Sequence, residues 1–402
     1  MTKIIEGGNG MNYKTVHEMA VLWNINVRTV QMWAKQGKLE GIQKFGRDWM
    51  IPENCIAPNH KLKQDVSSKA PIKLLAMPLM NGNFIPGKAL DYIESLKDDE
   101  SKLLAKAEYN YFCGVPNLAN DNAVPLLTSK VLTTRLSALL VHCFSNIGLG
   151  NVEQVKNDFM QLKTEIKVKG MSLSEEEYAL CAFVSSMTEI LLHNVSNDSL
   201  RLENHAKNLP EGMKLFSFYA LAHLYYLKGD YSRSLGISEA GLLMNQEIYP
   251  IPMIYLYLIA AMAAMNLKKN TQGKQYFNHA WELAKPDHLL QPFAEHHGLL
   301  EGLIEVILKK EEPSDYKKII DITYSFSDGW RKIHNPKTKE SVTSVLSTTE
   351  FTIAMLASKK WTNKQIAQHM NLSTSTVKTY ISHIYDKLQI TNRKELNKYM
   401  LK

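Results

Sequence analysis

Between residues 72 and 327 the chain reads as helix almost without interruption. Its breaks recur near Gly114, Gly150, Asn194, Gly229 and Asn270, at intervals of 36, 44, 35 and 41 residues. A helical unit of that length cannot bury its apolar face alone and must stack on its neighbours, so the pattern predicts a helical repeat solenoid. The clearest unit covers residues 215–243. There Tyr219, Ala222, His223 and Tyr226 fall on one face, Gly229-Asp230-Tyr231 supply the turn, and Ala240 permits close helix contact. Such an array presents a concave groove to a small effector, a peptide or a partner protein, or acts as a passive spacer between two binding ends.

At 402 residues the chain is too long for one helical core and divides into two or three units. The predicted division is an N-terminal module at 12–56, a polar linker at 57–71, the array at 72–327, a second linker at 328–345 and a C-terminal module at 346–402. Charge follows the same division: +4 over residues 1–69, +7 over 337–402 and −4 between them. Basic ends around an acidic centre are expected where the ends meet a polyanion. Cys55, Cys113, Cys143 and Cys181 stand far apart with no metal-ligand spacing, as reduced thiols do. No apolar run spans a bilayer and residues 1–10 lack a secretory core, so the expected place is the cytoplasm, away from membranes.

Residues 346–396 carry the sharpest signal. Ser347-Thr-Thr-Glu350 and Thr362-Asn-Lys-Gln365 are capping boxes, in which a hydroxyl accepts from an orphan amide and the Glu or Gln reaches back. A third helix opens at Ser373 and places Val377, Ile381, Ile384 and Leu388 on one apolar stripe. Its other side shows Ser375, Lys378, Thr379, Ser382 and Tyr385, with no carboxylate before Asp386. That face suits a groove lined by phosphates, since a major groove admits one α-helix whose first turns reach base edges. Lys378, Thr379 and Ser382 are the base-edge candidates. Thr362, Asn363, Lys364, Thr374, Thr376 and Arg393 are the phosphate candidates, because helix starts and point cations suit anions. A final helix from Arg393 offers Leu396, Tyr399 and Met400 as an apolar face that could pair across a two-fold axis.

The arrangement of Leu346, Glu350, Leu356, Asn363, Lys364, Ile366, Ala367, Ser373, Val377, Lys378, Ile384, Leu388 and Arg393 resembles the LuxR/GerE-type helix-turn-helix. The resemblance implies double-stranded DNA as partner and a homodimer on paired half-sites. Thr349, Lys360 and Tyr380 depart from the family pattern, which often has Arg, Gly and His there. The unit at 215–243 is similar to the degenerate tetratricopeptide repeats of MalT-like regulators, and residues 290–303 fit the end of such an array.

At the other end, Thr15-Val-His-Glu18 is a further capping box. It opens a helix with Val16, Met19, Ala20 and Trp23 on its apolar face. Asn26 caps a second helix that buries Val30, Trp33 and Ala34 and stops at Gly37. Residues 42–45 and 49–51 flank Gly46-Arg-Asp48 as a hairpin closed by Pro52. Trp23, Trp33 and Trp49 occupy apolar positions and read as core. Two helices and a hairpin resemble the MerR/excisionase-type winged helix-turn-helix. That resemblance assigns Arg28, Gln31 and Lys35 to a DNA groove and Lys44 and Arg47 to phosphates, with protein contact as the other use of such folds.

Two motifs invite overreading. Gly82 to Lys88 has phosphate-loop spacing, but Ala89 stands where a metal-binding hydroxyl is needed and Pro86 removes an amide. His296 and His297 are neighbours on a helix, point about 100° apart and cannot chelate together. No catalytic constellation, metal site, cofactor site or phosphorylatable receiver pattern is expected. The sequence therefore predicts a mainly α protein: an N-terminal winged helix-turn-helix with a small β-hairpin, a central α-helical repeat solenoid and a C-terminal all-α LuxR-type module. Its expected work is sequence-specific transcriptional regulation, with the array sensing a ligand, peptide or protein. The alternative is an adaptor in which only the C-terminal module binds DNA.

Overall fold

The computed structural model describes residues 13–22, 27–46, 48–53, 55, 76–169, 173–191, 202–244, 247–334 and 345–399. The chain separates into two compact bodies, Met1–Ile72 and Lys73–Lys402. The linker expected at 57–71 lies outside the described residues, as do Trp23, Asn26, Arg47, Asn194 and Met400.

In the first body β1 (Tyr13–Thr15) leads into α1 (Val16–Leu22), followed by α2 (Val27–Lys35), β2 (Gln43–Phe45) and β3 (Asp48–Pro52). The Thr15–Glu18 capping box forms: the Thr15 N–H donates to Glu18 Oε2 at 2.8 Å and the Glu18 N–H donates to Thr15 Oγ1 at 3.3 Å. Gly37, at φ +65°, ends α2, where the Lys38 N–H reaches back to the Trp33 carbonyl at 3.0 Å. The hairpin is present, with Phe45 opposite Asp48, so Asp48 belongs to the strand and not to the turn. Among the described residues the sheet has the order β1-β3-β2, which adds β1 to the expected hairpin. Met19, Ala20, Val30, Ala34, Leu39 and Ile51 form the core, with Trp33 and Trp49 half-buried against it.

The second body begins with α3 (Ala89–Ser95), α4 (Asp99–Phe112), α5 (Pro116–Ala123), α6 (Leu132–Gly148), α7 (Val152–Lys169), α8 (Glu175–Leu191) and α9 (Leu202–His205). It continues through α10 (Glu211–Leu227), α11 (Tyr231–Met244), α12 (Pro250–Asn266), α13 (Asn270–Ala284), α14 (Gln291–His296), α15 (Leu303–Glu311) and α16 (Pro313–His334). The closest packing between sequence neighbours is that of α12 on α13, α10 on α11, α11 on α12 and α4 on α5. The four breaks that fall within the described residues share one physical form. Gly114, Gly150, Gly229 and Lys268 all adopt positive φ. The next N–H in each case donates to the carbonyl five residues back: Val115 to Asn110, Asn151 to Asn146, Asp230 to Tyr225 and Lys269 to Ala264. This turn satisfies the orphan carbonyls of the helix end and reverses the chain, so a left-handed residue is needed at each of these four breaks.

The second linker is shorter than expected. Residues 328–334, assigned to a linker, continue α16, whose Trp330 packs on the core. The face carrying Tyr219, His223 and Tyr226 is not an open groove. α14 fills it: Tyr219 Oη lies 2.9 Å from His296 Nε2, Tyr255 Oη donates to Glu295 at 3.0 Å, and Tyr111 Oη also donates to Glu295. Burial in this aromatic nest pulls the His296 imidazole down to about 4 and pushes the Glu295 carboxyl up to about 7.

The phosphate-loop look-alike carries its own anion. Asp287 accepts from the Gly87 N–H at 2.6 Å and from the Ala89 N–H at 3.0 Å, occupying the amides that a phosphate would need. Nearby, the buried Glu108 carboxyl accepts from the Leu79 and Met80 N–H groups at 3.1 and 2.9 Å. Desolvation outweighs those bonds and pushes it up to about 8.

Residues 345–399 belong to the same compact body as the array and are not a detached domain. They contain α17 (Thr348–Ser358), α18 (Asn363–His369), α19 (Thr374–Leu388) and a 3₁₀ turn, Arg393–Lys398. Lys359 Nζ donates to Glu301 Oε1 at 2.9 Å and to Asn266 Oδ1 at 3.1 Å. His369 Nε2 donates to the Glu301 carbonyl at 2.7 Å. Lys268 Nζ lies 4.1 Å above the Trp361 ring. A Cβ on Gly302 would meet Thr352 Cγ2 at 2.7 Å and Met370 Sδ at 2.9 Å, so only glycine permits this approach.

Candidate DNA-reading surface

Each helix of the C-terminal module starts where a hydroxyl stops it from extending backwards. Ser347 accepts from the Glu350 N–H at 3.3 Å while Glu350 accepts from the Ser347 N–H at 2.8 Å; Thr362 and Gln365 do the same at 3.2 and 2.8 Å. Each such cap contributes about 1 kcal/mol. Burial alone would raise the Glu350 carboxyl, but hydrogen bonds from Lys387, at 2.8 Å, and Ser347 hold it below the usual range. Ser373 caps α19 by accepting from the Thr376 N–H at 3.0 Å.

The turn between α18 and α19 follows from Asn371, at φ +54°, after which the Leu372 N–H reaches back to Ala367 at 2.9 Å. Asn suits that conformation better than most residues because its short amide tolerates it. Lys360, at φ +64°, makes the corresponding turn after α17, with Trp361 N–H on the Leu356 carbonyl at 3.1 Å. The glycine usual at this place in the family pattern has its physical reason in that angle.

α19 turns Val377, Ile384 and Leu388 into the core, with Ile381 half-buried beside them. Each fully buried aliphatic side chain contributes about 1.5–3 kcal/mol, enough to fix which face looks out. The outward face exposes Ser375, Lys378, Thr379 and Ser382. Tyr385, expected on it, is half-buried. Thr379 Oγ1 donates to the Ser375 carbonyl at 3.2 Å, which leaves its oxygen able to accept. Thr362, Lys364 and Thr374 are exposed as well, while Thr376 is half-buried with its hydroxyl 2.7 Å from Ser373 Oγ. The docking contacts made by Lys359, Trp361 and His369 involve none of Lys378, Thr379 or Ser382.

Two residues sit otherwise than the sequence reading places them. Arg393, expected on a phosphate, turns inward. Its Nε donates to the Ala357 carbonyl at 3.0 Å, Nη2 to the Trp361 carbonyl and Nη1 to Asn363 Oδ1 at 3.3 Å. It clamps the C-terminal turn to the α17–α18 connection and engages Asn363 as it does so. Leu396, expected on a dimer face, is fully buried in the module's own core, because the segment winds as a 3₁₀ turn rather than as an α-helix. Tyr399 remains 39% exposed. In the N-terminal body Gln31, Lys35 and Lys44 are exposed, with Lys44 Nζ 5.5 Å from the Trp49 ring centroid. The side chains of Arg28 and Arg47 lie outside the described residues.

Three capped helices with a free, carboxylate-poor outer face on the last of them define a helix-turn-helix module, and residues 344–400 match the model of bacterial regulatory proteins of the luxR family. The C-terminal module is a LuxR-type helix-turn-helix, the DNA-binding part of transcription regulators. Among known proteins the chain is similar to HTH-type transcriptional regulator MalT. It is 26% identical over 154 residues to the proteins of Vibrio campbellii and Vibrio parahaemolyticus, covering 34% of this chain and 17% of theirs. To the Vibrio cholerae protein it is 31% identical over 117 residues, covering 28% of this chain and 13% of that one. The chain thus spans less than a fifth of the length of these curated relatives. No solved structure matches it significantly.

Proposed function

We propose that the chain is a DNA-binding transcription regulator in which α19 enters the major groove and Lys378, Thr379 and Ser382 contact base edges. The observation that carries this reading is the LuxR-type module with that face exposed beside the array. Lys378 presents a donor of the kind read by guanine O6 and N7. Thr379, its proton held by Ser375, presents acceptor lone pairs to an exocyclic amine or its methyl to thymine. Thr362, Lys364, Thr374 and Thr376 hold phosphates around the reading helix, with Asn363 contributing what Arg393 leaves of its amide. The chain acts in the cytoplasm as a homodimer on paired half-sites, with Tyr399 and Met400 the remaining candidates for the paired face.

Within this reading the array senses the signal. The candidate seat for a small effector is an open surface depression of about 630 Å³ lined by Leu127, His142, Asn146, Asn151, Val152 and Gln154. The N-terminal winged helix serves as a second reader through Arg28, Gln31, Lys35, Lys44 and Arg47. Met32, 45% exposed beside Gln31, favours the adaptor alternative, in which this module touches a protein. The test is a gel-shift titration against the genomic fragments that the full chain retains. Lys378→Ala should weaken specific binding by about 1–3 kcal/mol, while Lys364→Ala should weaken all sequences alike and lower the salt slope by about 1. Unchanged specific affinity in Lys378→Ala would reject the base-contact assignment.

A further inference from the structure

We propose that the junction between the array and the LuxR-type module is a separable latch, closed by Lys359 on Glu301, through which the array sets how the module engages DNA. This inference rests on the DNA-binding reading above. The junction sets buried polar groups within an otherwise apolar core shared by the array and the module. Glu301 is fully buried, yet it contributes a carboxylate to Lys359 across the junction and a carbonyl to His369. Its second oxygen, Oε2, and the indole Nε1 of Trp361 are buried without a hydrogen-bond partner. Buried ion pairs gain little net free energy once desolvation is counted, and unsatisfied polar atoms oppose closure. These polar contacts therefore add little net free energy of their own to closure and act mainly by fixing its geometry.

The geometry comes from backbone conformations that are rarely occupied. Glu301 sits at φ +52° and Gly302 at φ +83°, presenting a side-chain oxygen, a carbonyl and a bare Cα to the module at successive positions. Thr352 and Met370 close on that bare Cα. Lys268, which takes the left-handed turn position between α12 and α13, covers Trp361; burial pulls its ammonium below the ordinary lysine value. The latch therefore draws on two separate turns of the array, the end of α12 and the start of α15. A shift between those turns alters both anchors together. Closed, it neutralises Lys359 and keeps the acidic array beside a module that needs positive potential. Open, it frees the cation and lets the module orient on DNA independently of the array. Release therefore strengthens DNA binding.

The experiment uses the full chain with Gly302→Ala, which changes no charge, and with Lys359→Met, which leaves Glu301 buried and unpaired. Amide exchange over residues 297–305 and 351–361 should rise in both variants. Specific DNA affinity of Gly302→Ala should increase about fivefold or more, the low end of ordinary coupling between sites. Unchanged exchange in both variants would show that no latch opens and overturn the proposal. So would faster exchange in Gly302→Ala with affinity within about twofold of the parent, because the junction would then have no bearing on DNA. Failure of the parent chain to bind DNA at all would overturn the functional reading itself, and the exchange measurement, made without DNA, tells that failure apart from these.

Discussion

Replacing Arg393 by lysine separates a structural clamp from a phosphate contact, because the charge and most of the stem remain. In the structure the guanidinium donates to the carbonyls of Ala357 and Trp361 and to Asn363 Oδ1. An ammonium on a flexible stem reaches about one of these acceptors, since its donors lack the fixed fork of the guanidinium. Loss of the other two bonds, discounted to about 1–1.5 kcal/mol each because the guanidinium is only half-buried, should destabilise the module by roughly 2–3 kcal/mol. Amide exchange of the core of α17 and α19 is the suitable measure, because a chain of several parts has no single unfolding free energy. Protection there should fall roughly 30- to 150-fold, at 1.4 kcal/mol per decade. The salt slope of DNA binding should stay unchanged under conditions where the module is folded. Protection within about threefold of the parent, together with a salt slope lower by about 1 in Arg393→Ala, would refute the clamp and restore the phosphate role.

Lys360→Gly should stabilise the module by about 0.5–1 kcal/mol, since removing the left-handed strain exceeds the entropy that glycine adds to the unfolded chain; a lower melting temperature would contradict this. Leu396→Ala should cost about 2–5 kcal/mol of module stability and leave the sedimentation of the folded chain unaltered, whereas a pure association defect would return Leu396 to a dimer face. Glu108 makes stability depend on pH. Its folded value is raised to about 8, so its contribution is fully present below the ordinary carboxyl range and is lost as pH rises towards about 8. The melting temperature should be higher near about pH 5.5 than near about pH 8.5, and Glu108→Gln should shrink that difference. Glu295, raised to about 7, keeps part of it.

What the sequence made legible was local. The boxes at Ser347–Glu350 and Thr362–Gln365, the cap at Ser373 and the inward stripe of α19 depend on residues three to seven apart, and all are present. The left-handed turns of the array were readable where glycine marks them and less so at Lys268, where no glycine does. What was missed is non-local. Glu301 and Lys359 are 58 positions apart, and nothing in either neighbourhood announces the other. Leu396 lies otherwise than an α-helical period places it because the 3₁₀ turn rotates each residue to a different side, and Arg393 because its carbonyl acceptors on Ala357 and Trp361 are 36 and 32 positions away. The strand β1 escaped notice because three residues acquire a strand's identity only from β3, some 37 positions later.

The carboxylate of Asp287 on the amides of Gly87 and Ala89 has a consequence for how this chain folds. It joins positions 200 and 198 residues apart, and Tyr109 and Tyr111 on α4 add hydrogen bonds to Asp287 and Glu295 on the same side. A stack of repeats that touched only its neighbours could nucleate anywhere, fray from either end and tolerate loss of a terminal unit. Here the first helices close on the α13–α14 region, so the loop-closure entropy of most of the array falls on a few late contacts. The array should therefore fold slowly and cooperatively, as a ring does when its clasp is shut, and removing its first turn should cost as much order near residue 290 as near residue 90.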